Sequence, residues 1–311
     1  MYSKVIVPLD GSDLSEQSLP YAELVAKSLG VPIELVQAYD ILPAGLLGAG
    51  NRQEVVSTLE EGSRARALVS MESQRRRLEA DGYNVNLVAQ RGAAADVIVA
   101  VAGVDPTALV VMSTHGRSGI SRWVMGSVTD KVLHTIPNPM LVVRANVLGP
   151  AAPEASLKSV VVPLDGSALS ELAIPHAISV AGALSAGISV LRITPTAGHY
   201  RQQINMVTPE MGTVPDFDMA EPDELIAEDA QQATEYLDDV RNRMRIDHAH
   251  GVATDHQAND NIAQTIIDRA NEQPSLVVMT THGRSGMGRV VLGSVTDRVI
   301  RHSNLPVLVI R

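Results

Sequence analysis

The segment Thr114-His115-Gly116-Arg117-Ser118-Gly119, followed six residues later by Gly126-Ser127-Val128-Thr129-Asp130, occurs twice in this chain. It returns as Thr281-His282-Gly283-Arg284-Ser285-Gly286 and Gly293-Ser294-Val295-Thr296-Asp297, with the same spacing. Between Ser113–Arg144 and Thr280–Arg311, 18 of 32 positions are identical. Internal duplication on this scale restricts the chain to two copies of one folding unit. The opening segments repeat as well: Val5-Ile6-Val7-Pro8-Leu9-Asp10-Gly11-Ser12 is echoed by Val160-Val161-Val162-Pro163-Leu164-Asp165-Gly166-Ser167. The offset is 155 at Asp10/Asp165 and 167 at His115/His282, so the second copy carries a net insertion of 12 residues, placed mainly around 197–222. That stretch reads as a lid, an interface arm or a mobile loop.

Each copy is long enough to bury a core of its own. Leu148-Gly149-Pro150-Ala151-Ala152-Pro153-Glu154-Ala155-Ser156 has linker composition and no periodicity. Domains are therefore expected over 1–147 and 157–311. Within each, apolar β-branched runs alternate with helical patterns. Val5–Leu9, Ile33–Tyr39, Val85–Ala89, Ala108–Met112 and Met140–Arg144 read as strands. Leu19 to Leu29, about Glu54 to Ala80, Asp96–Ala102 and Val128–Thr135 read as helices. Such alternation predicts an α/β doubly wound domain: a parallel sheet with helices on both faces. Pro20 and Pro175 fall inside the first helix of each copy, where proline is tolerated only in the first turn. Either the helix starts later than Ser15 or it is kinked there.

Composition removes several classes of function. With no cysteine, disulfides and thiolate metal sites are impossible. The stretch Met1-Tyr2-Ser3-Lys4-Val5 offers no signal-peptide core, and the uncharged run from Leu172 to Leu191 contains Pro175, His176, three serines and two glycines. A cytoplasmic protein is expected. Net charge is −10, and aromatic residues make up 3% of the chain. An acidic, aromatic-poor surface lacks what nucleic acid needs, namely cations for phosphates and rings for bases. His248 and His250, at i and i+2 with His256 following closely, could share a metal on one strand face, but no acidic partner stands at a useful spacing, so no metal is assigned.

In an open parallel sheet, ligands bind beyond the carboxyl ends of the strands. Asp10 and Asp165 follow the first strands, Ala38 and Ile193 lie near the ends of the second, and the glycine segments follow the fourth. Those segments match neither a phosphate loop with lysine nor G-x-G-x-x-G. Ser127-Val128-Thr129-Asp130 and Ser294-Val295-Thr296-Asp297 fit a capping box, with serine as N-cap and aspartate three residues on. Capping contributes about 1 kcal/mol per residue and is compatible with phosphate on the same helix start. No residue reads as a committed general base, and none is assigned a catalytic role.

These residues together resemble the universal stress protein family, as a tandem pair covering nearly the whole chain. The resemblance is carried by Val-Pro-Leu-Asp-Gly-Ser at 7–12 and 162–167, the two glycine segments, and the closing strands Pro139–Arg144 and Pro306–Arg311. It implies a five-stranded parallel sheet in order 3-2-1-4-5 in each domain, and an ATP-binding stress-response or signalling protein. The alternatives are a protein-interaction module of the same fold without nucleotide, or a slow ATPase with Mg²⁺ held through water by Asp10 and Asp165. The family's nucleotide motif runs Gly, two residues, Gly, nine residues, Gly-Ser or Gly-Thr; here Ser113 and Thr280 replace its first glycine. By the same resemblance, Pro8, Leu9 and Asp10 lie at the nucleoside end, with Ala38 beside adenine. Met112, Ser113, Gly116, Arg117, Gly119, Gly126, Ser127 and Val128 surround ribose and phosphates. In the second copy the corresponding residues are Pro163, Leu164, Asp165 and Ile193, then Met279, Thr280, Gly283, Arg284, Gly286, Gly293, Ser294 and Val295. Family members pair through their last strands; a tandem chain can make that contact internally, with Leu141–Arg144 beside Leu308–Arg311, and two such chains can form a homodimer.

Overall fold

The computed structural model describes residues 2–40, 52–114, 125–145, 156–207, 222–247, 251–281 and 292–311. The chain separates into two compact units, one of Met1–Ser156, Met287–Leu292 and Ile300–Arg311, the other of Leu157–Gly286 and Gly293–Val299. In the first repeat the elements run β1 (Val5–Pro8), α1 (Asp13–Glu16), α2 (Leu19–Leu29), β2 (Ile33–Tyr39), α3 (Arg52–Ala80), β3 (Val85–Arg91), α4 (Ala94–Gly103), β4 (Leu109–Ser113), α5 (Ser127–Thr135) and β5 (Met140–Val143). The second repeat follows with β6 (Ser159–Pro163), α6 (Ala168–Glu171), α7 (Ala173–Leu184), β7 (Gly187–Thr194), α8 (Ala197–Val207), α9 (Pro222–Asp247), β8 (Val252–Ala258), α10 (Ile262–Asn271), β9 (Ser275–Thr280), α11 (Ser294–His302) and β10 (Val307–Ile310).

The first repeat's strands are parallel and ordered β3-β2-β1-β4-β5, as expected. In the second unit the same order runs β8-β7-β6-β9. Parallel neighbours require crossovers, and these are right-handed almost without exception. Connections running toward β3 thus put α2 and α3 on one face, and those returning toward β5 put α4 and α5 on the other. Two ion pairs mark the two layers: Glu23 of α2 with Arg77 of α3, and Asp96 of α4 with Lys131 of α5. The central strands are covered on both faces, which is why β1 reads Val5-Ile6-Val7 without alternation; all three are fully buried.

The prolines are resolved in favour of a late start. Ser12 caps a separate single turn, α1, by accepting from the Ser15 N–H, and α2 then begins at Leu19 with Pro20 in its first turn. The second repeat does the same: Ser167 caps α6, and Pro175 lies in the first turn of α7. No helix hydrogen bond is lost, because first-turn N–H groups have no intrahelical acceptor. Helix α2 ends on Gly30 at φ +67°, whereas α7 ends on Ser185 at φ +53° in the same left-handed cap. In both, the next residue's N–H closes the turn, Val31 to Ala26 O and Ala186 to Ala181 O. A Cβ is disfavoured there. Ser185→Gly is expected to raise unfolding free energy by about 1 kcal/mol, read from the urea midpoint; a lowered midpoint would show that serine relieves the strain by other means.

The strand β10 pairs antiparallel with β5 inside the first unit, with Leu308 opposite Leu141 and Val307 opposite Val142. Two arginines reinforce it. Arg144 donates to the carbonyls of Ser303 (3.1 Å) and Arg301 (3.4 Å) at the end of α11. Arg311 donates to those of His134 (2.6 Å) and Ile136 (3.0 Å) at the end of α5. Each guanidinium thus meets orphan carbonyls at the negative end of a helix. Part of the insertion forms α8, fastened to α9 by Tyr200–Asp229 and Arg201–Asp223 contacts; residues 208–221 lie outside the described residues. Among the described residues, no helix is long and apolar enough to cross a membrane.

Candidate functional site

A cavity of about 270 Å³ opens at the carboxyl ends of the first repeat's strands. Its lining includes Pro8, Leu9 and Asp10 from the end of β1, Ala38 from β2, Met112 and Ser113 from β4, and Gly126, Ser127 and Val128 at the start of α5. In the second unit a cavity of about 340 Å³ is lined by Pro163, Leu164, Asp165, Ile193, Met279, Thr280, Gly293, Ser294 and Val295. Every sequence-predicted site residue that is described therefore comes to one of two cavities. Gly116, Arg117, Gly119, Gly283, Arg284 and Gly286 lie outside the described residues, as do His115 and His282.

The two aspartates are set by the turns that follow the first strands. One oxygen of Asp10 accepts from the Ser12 N–H (3.0 Å) and hydroxyl (2.6 Å). Asp165 takes the same two bonds from Ser167, at 2.9 and 2.6 Å. Because Ser12 and Ser167 also cap α1 and α6, a single side chain fixes both the helix start and the carboxylate. The opposite wall is a helix N-terminus, and here the capping-box expectation is corrected. Gly126, not Ser127, is the N-cap of α5: its carbonyl accepts the Asp130 N–H at 2.9 Å, and Ser127 is the first helical residue. Gly293 accepts likewise from Asp297, placing Ser294 at the first position of α11.

The helix starts earlier because two bonds pin it to the preceding strand. The Gly126 N–H donates to Thr114 O (2.6 Å), and the Thr129 hydroxyl donates to Ser113 O (2.8 Å). Gly293 to Thr281 O and Thr296 to Thr280 O repeat both bonds in the second unit. Thr129 and Thr296 line the cavities and were missed by sequence reasoning, although a threonine at the third helical position in both copies was a usable signal. This pinning leaves the N–H groups of residues 127–129 and 294–296 at helix positions with no intrahelical acceptor, beside the positive end of the helix dipole.

The cavities differ at their other end. Gln37, between Val36 and Ala38, hydrogen-bonds Ser70 of α3, while Val36 and Ala38 line the first cavity. Its counterpart Arg192 lines the second, together with Leu191 and Ile193. Arg192 is only 8% exposed; its guanidinium carbon stands 5.8 Å from the Tyr236 ring centroid, and Nη1 donates to Leu164 O at 3.4 Å. The Tyr236 hydroxyl donates to Glu171 (3.0 Å), which Arg243 holds through two bonds. Arg243 keeps the Glu171 carboxyl below its ordinary range, while burial pushes the Tyr236 phenol up. Of the three histidines considered for metal, His256 has its Nε2 against Thr194 Oγ1 at 2.9 Å, and His248 and His250 lie outside the described residues.

The chain is similar to known proteins along its whole length. It is 30% identical over 146 residues to universal stress protein MJ0531 of Methanocaldococcus jannaschii, covering 46% of this chain and 83% of that one. Universal stress protein Slr1230 of Synechocystis is 22% identical over 328 residues, with 99% of each chain covered. The crystal structure of a universal stress protein from Archaeoglobus fulgidus superposes with a TM-score of 0.62 over 99% of this chain and 98% of that one, at 17% identity. The family model matches twice, over residues 1–144 and 156–311. By those two matches the chain belongs to the universal stress protein family, as a tandem member.

Proposed function

We propose that this protein binds adenine nucleotide, with the first-repeat cavity as its ATP site, and that occupancy governs its contacts in a stress response. The observation that carries this reading is the convergence of the nine described residues Pro8 to Val128 on one cavity of about 270 Å³. Its two ends suit the two ends of a nucleotide. At one, a helix start presents N–H groups that have no intrahelical acceptor, with positive potential, to phosphate. At the other, the Asp10 carboxylate offers an acceptor to a ribose hydroxyl or an exocyclic amine, between the apolar walls of Val36, Ala38 and Ile98. Ligand sites of this kind, apolar with a few placed polar groups, are what such sheet ends provide.

Two measurements test it. Heat-denatured protein is expected to release adenine nucleotide into the supernatant, identified by absorbance and mass. Protein stripped of ligand is expected to bind added ATP in a titration that saturates below about 1 mM, the range expected of a built small-molecule site. No released nucleotide together with no binding would sink the reading and leave the fold as a module for protein contacts.

A further inference from the structure

We infer that the chain has one adenine site, in the first cavity, and that Ile193 and Ile262 bar the base from the second. This rests on the adenine-nucleotide reading above and names the residues that choose between the two cavities.

The phosphate ends of the cavities are built alike. Each has Gly-Ser-Val at a helix start. Each helix is tied to the preceding strand by a threonine hydroxyl, Thr129 to Ser113 O and Thr296 to Thr280 O, both at 2.8 Å. The other ends are not alike. Pro8 pairs with Val36 and Pro163 with Leu191, so Ala38 and Ile193 hold the same register, two residues further along their strands. Ala94 and Ile262 are each the first residue of a helix, α4 or α10, and the isoleucine four residues on, Ile98 or Ile266, lines the same cavity. Two alanines that line the first cavity thus correspond to two isoleucines that line the second. Ile262 is 41% exposed, which puts it at the mouth of its cavity and not in the core.

A flat base needs about 3.5–4.0 Å to carbon on each face. Replacing alanine by isoleucine adds three carbons and reaches about 2.5 Å further, two carbon–carbon bonds of about 1.5 Å. Branching at Cβ leaves those carbons few rotamers in which to withdraw. The two walls are also clasped together. The Thr196 N–H and hydroxyl donate to the two carboxylate oxygens of Asp260, at 2.9 and 2.6 Å. The clasp joins the chain just after Ile193 to the chain just before Ile262. It sits in a connection one residue longer than its counterpart. Gly92 and Asn259 make matching backbone bonds to Tyr39 O and Thr194 O, but α4 starts at Ala94 and α10 at Ile262. Total volume is not the restriction, because the second cavity is the larger, at about 340 Å³ against 270 Å³. Among the described residues, Arg192, Pro195 and Thr281 line it where Gln37, Asp40 and Thr114 do not line the first. The slot between strand end and helix start is what the added carbons fill.

ATP is titrated calorimetrically into the ligand-stripped full chain and its variants, each checked by a thermal melt. The unsubstituted chain is expected to bind one ATP, and Gly126→Glu to bind none over the same concentrations. Ile193→Ala with Ile262→Ala is expected to bind two, and to keep one when Gly126→Glu is added. Should the alanine variant fail to fold, the reciprocal change carries the test. Ala38→Ile with Ala94→Ile is expected to weaken ATP at least about tenfold, the lower end of what one methylene does in an apolar pocket. Two ATP bound by the unsubstituted chain overturns the inference, as does only one in the folded alanine variant. Unchanged ATP affinity in the folded isoleucine variant overturns it as well. No ATP bound by the unsubstituted chain instead removes the nucleotide reading itself.

Discussion

Gly126→Glu is expected to weaken adenine nucleotide binding at the first cavity by roughly a hundredfold while leaving the melting temperature unchanged. The separation of the two effects follows from where Gly126 sits. At φ −57° and ψ 141° it occupies ordinary extended backbone, which glutamate adopts without strain. As the N-cap of α5 it places the new carboxylate beside the helix's positive end, a favourable location for an anion. The same carboxylate stands where a phosphate would approach the N–H groups of Ser127, Val128 and Thr129, and like charges there cost several kcal/mol of binding. Calorimetric titration with ATP, beside a thermal melt of the same sample, reads both quantities. Undiminished ATP affinity in the folded variant would mean that the helix start does not face the phosphates.

Leu308→Ala is expected to destabilise the first unit by about 2–5 kcal/mol, a large share of the roughly 5–15 kcal/mol that holds an ordinary domain folded. Leu308 is 1% exposed and lies opposite Leu141, equally buried, in the antiparallel pair of β10 with β5. Truncation there removes apolar contact on both strands and leaves a cavity that the flanking pairs cannot close. Urea unfolding followed by far-ultraviolet circular dichroism measures the loss. A change below about 0.5 kcal/mol, the level of a surface substitution, would show that β10 is not an integral strand of that unit.

Much of this was legible in the residues. Runs such as Val5-Ile6-Val7 and Val110-Val111 carry no alternation, and only a strand covered on both faces explains so short a continuous apolar segment. The cavity lining was legible through the repeat: the segments that recur are those at strand ends and helix starts. Two things were hidden for physical reasons. Helix starts depend on which carbonyl accepts the first bond. Ser127 and Gly126 were indistinguishable until the Gly126–Thr114 and Thr129–Ser113 bonds fixed the choice. The Arg192–Tyr236 contact joins residues on separate elements, and no periodicity or spacing places one against the other.

The pairing of β5 with β10 also bears on how the chain is made. While a ribosome is still synthesising the second repeat, β5 presents a row of unsatisfied N–H and C=O groups and the buried face of Leu141, because residues 307–310 do not yet exist. An open strand edge of this kind templates association with other chains. The nascent protein is therefore most exposed to misassembly midway through its own translation, and its dependence on chaperones should end when β10 emerges.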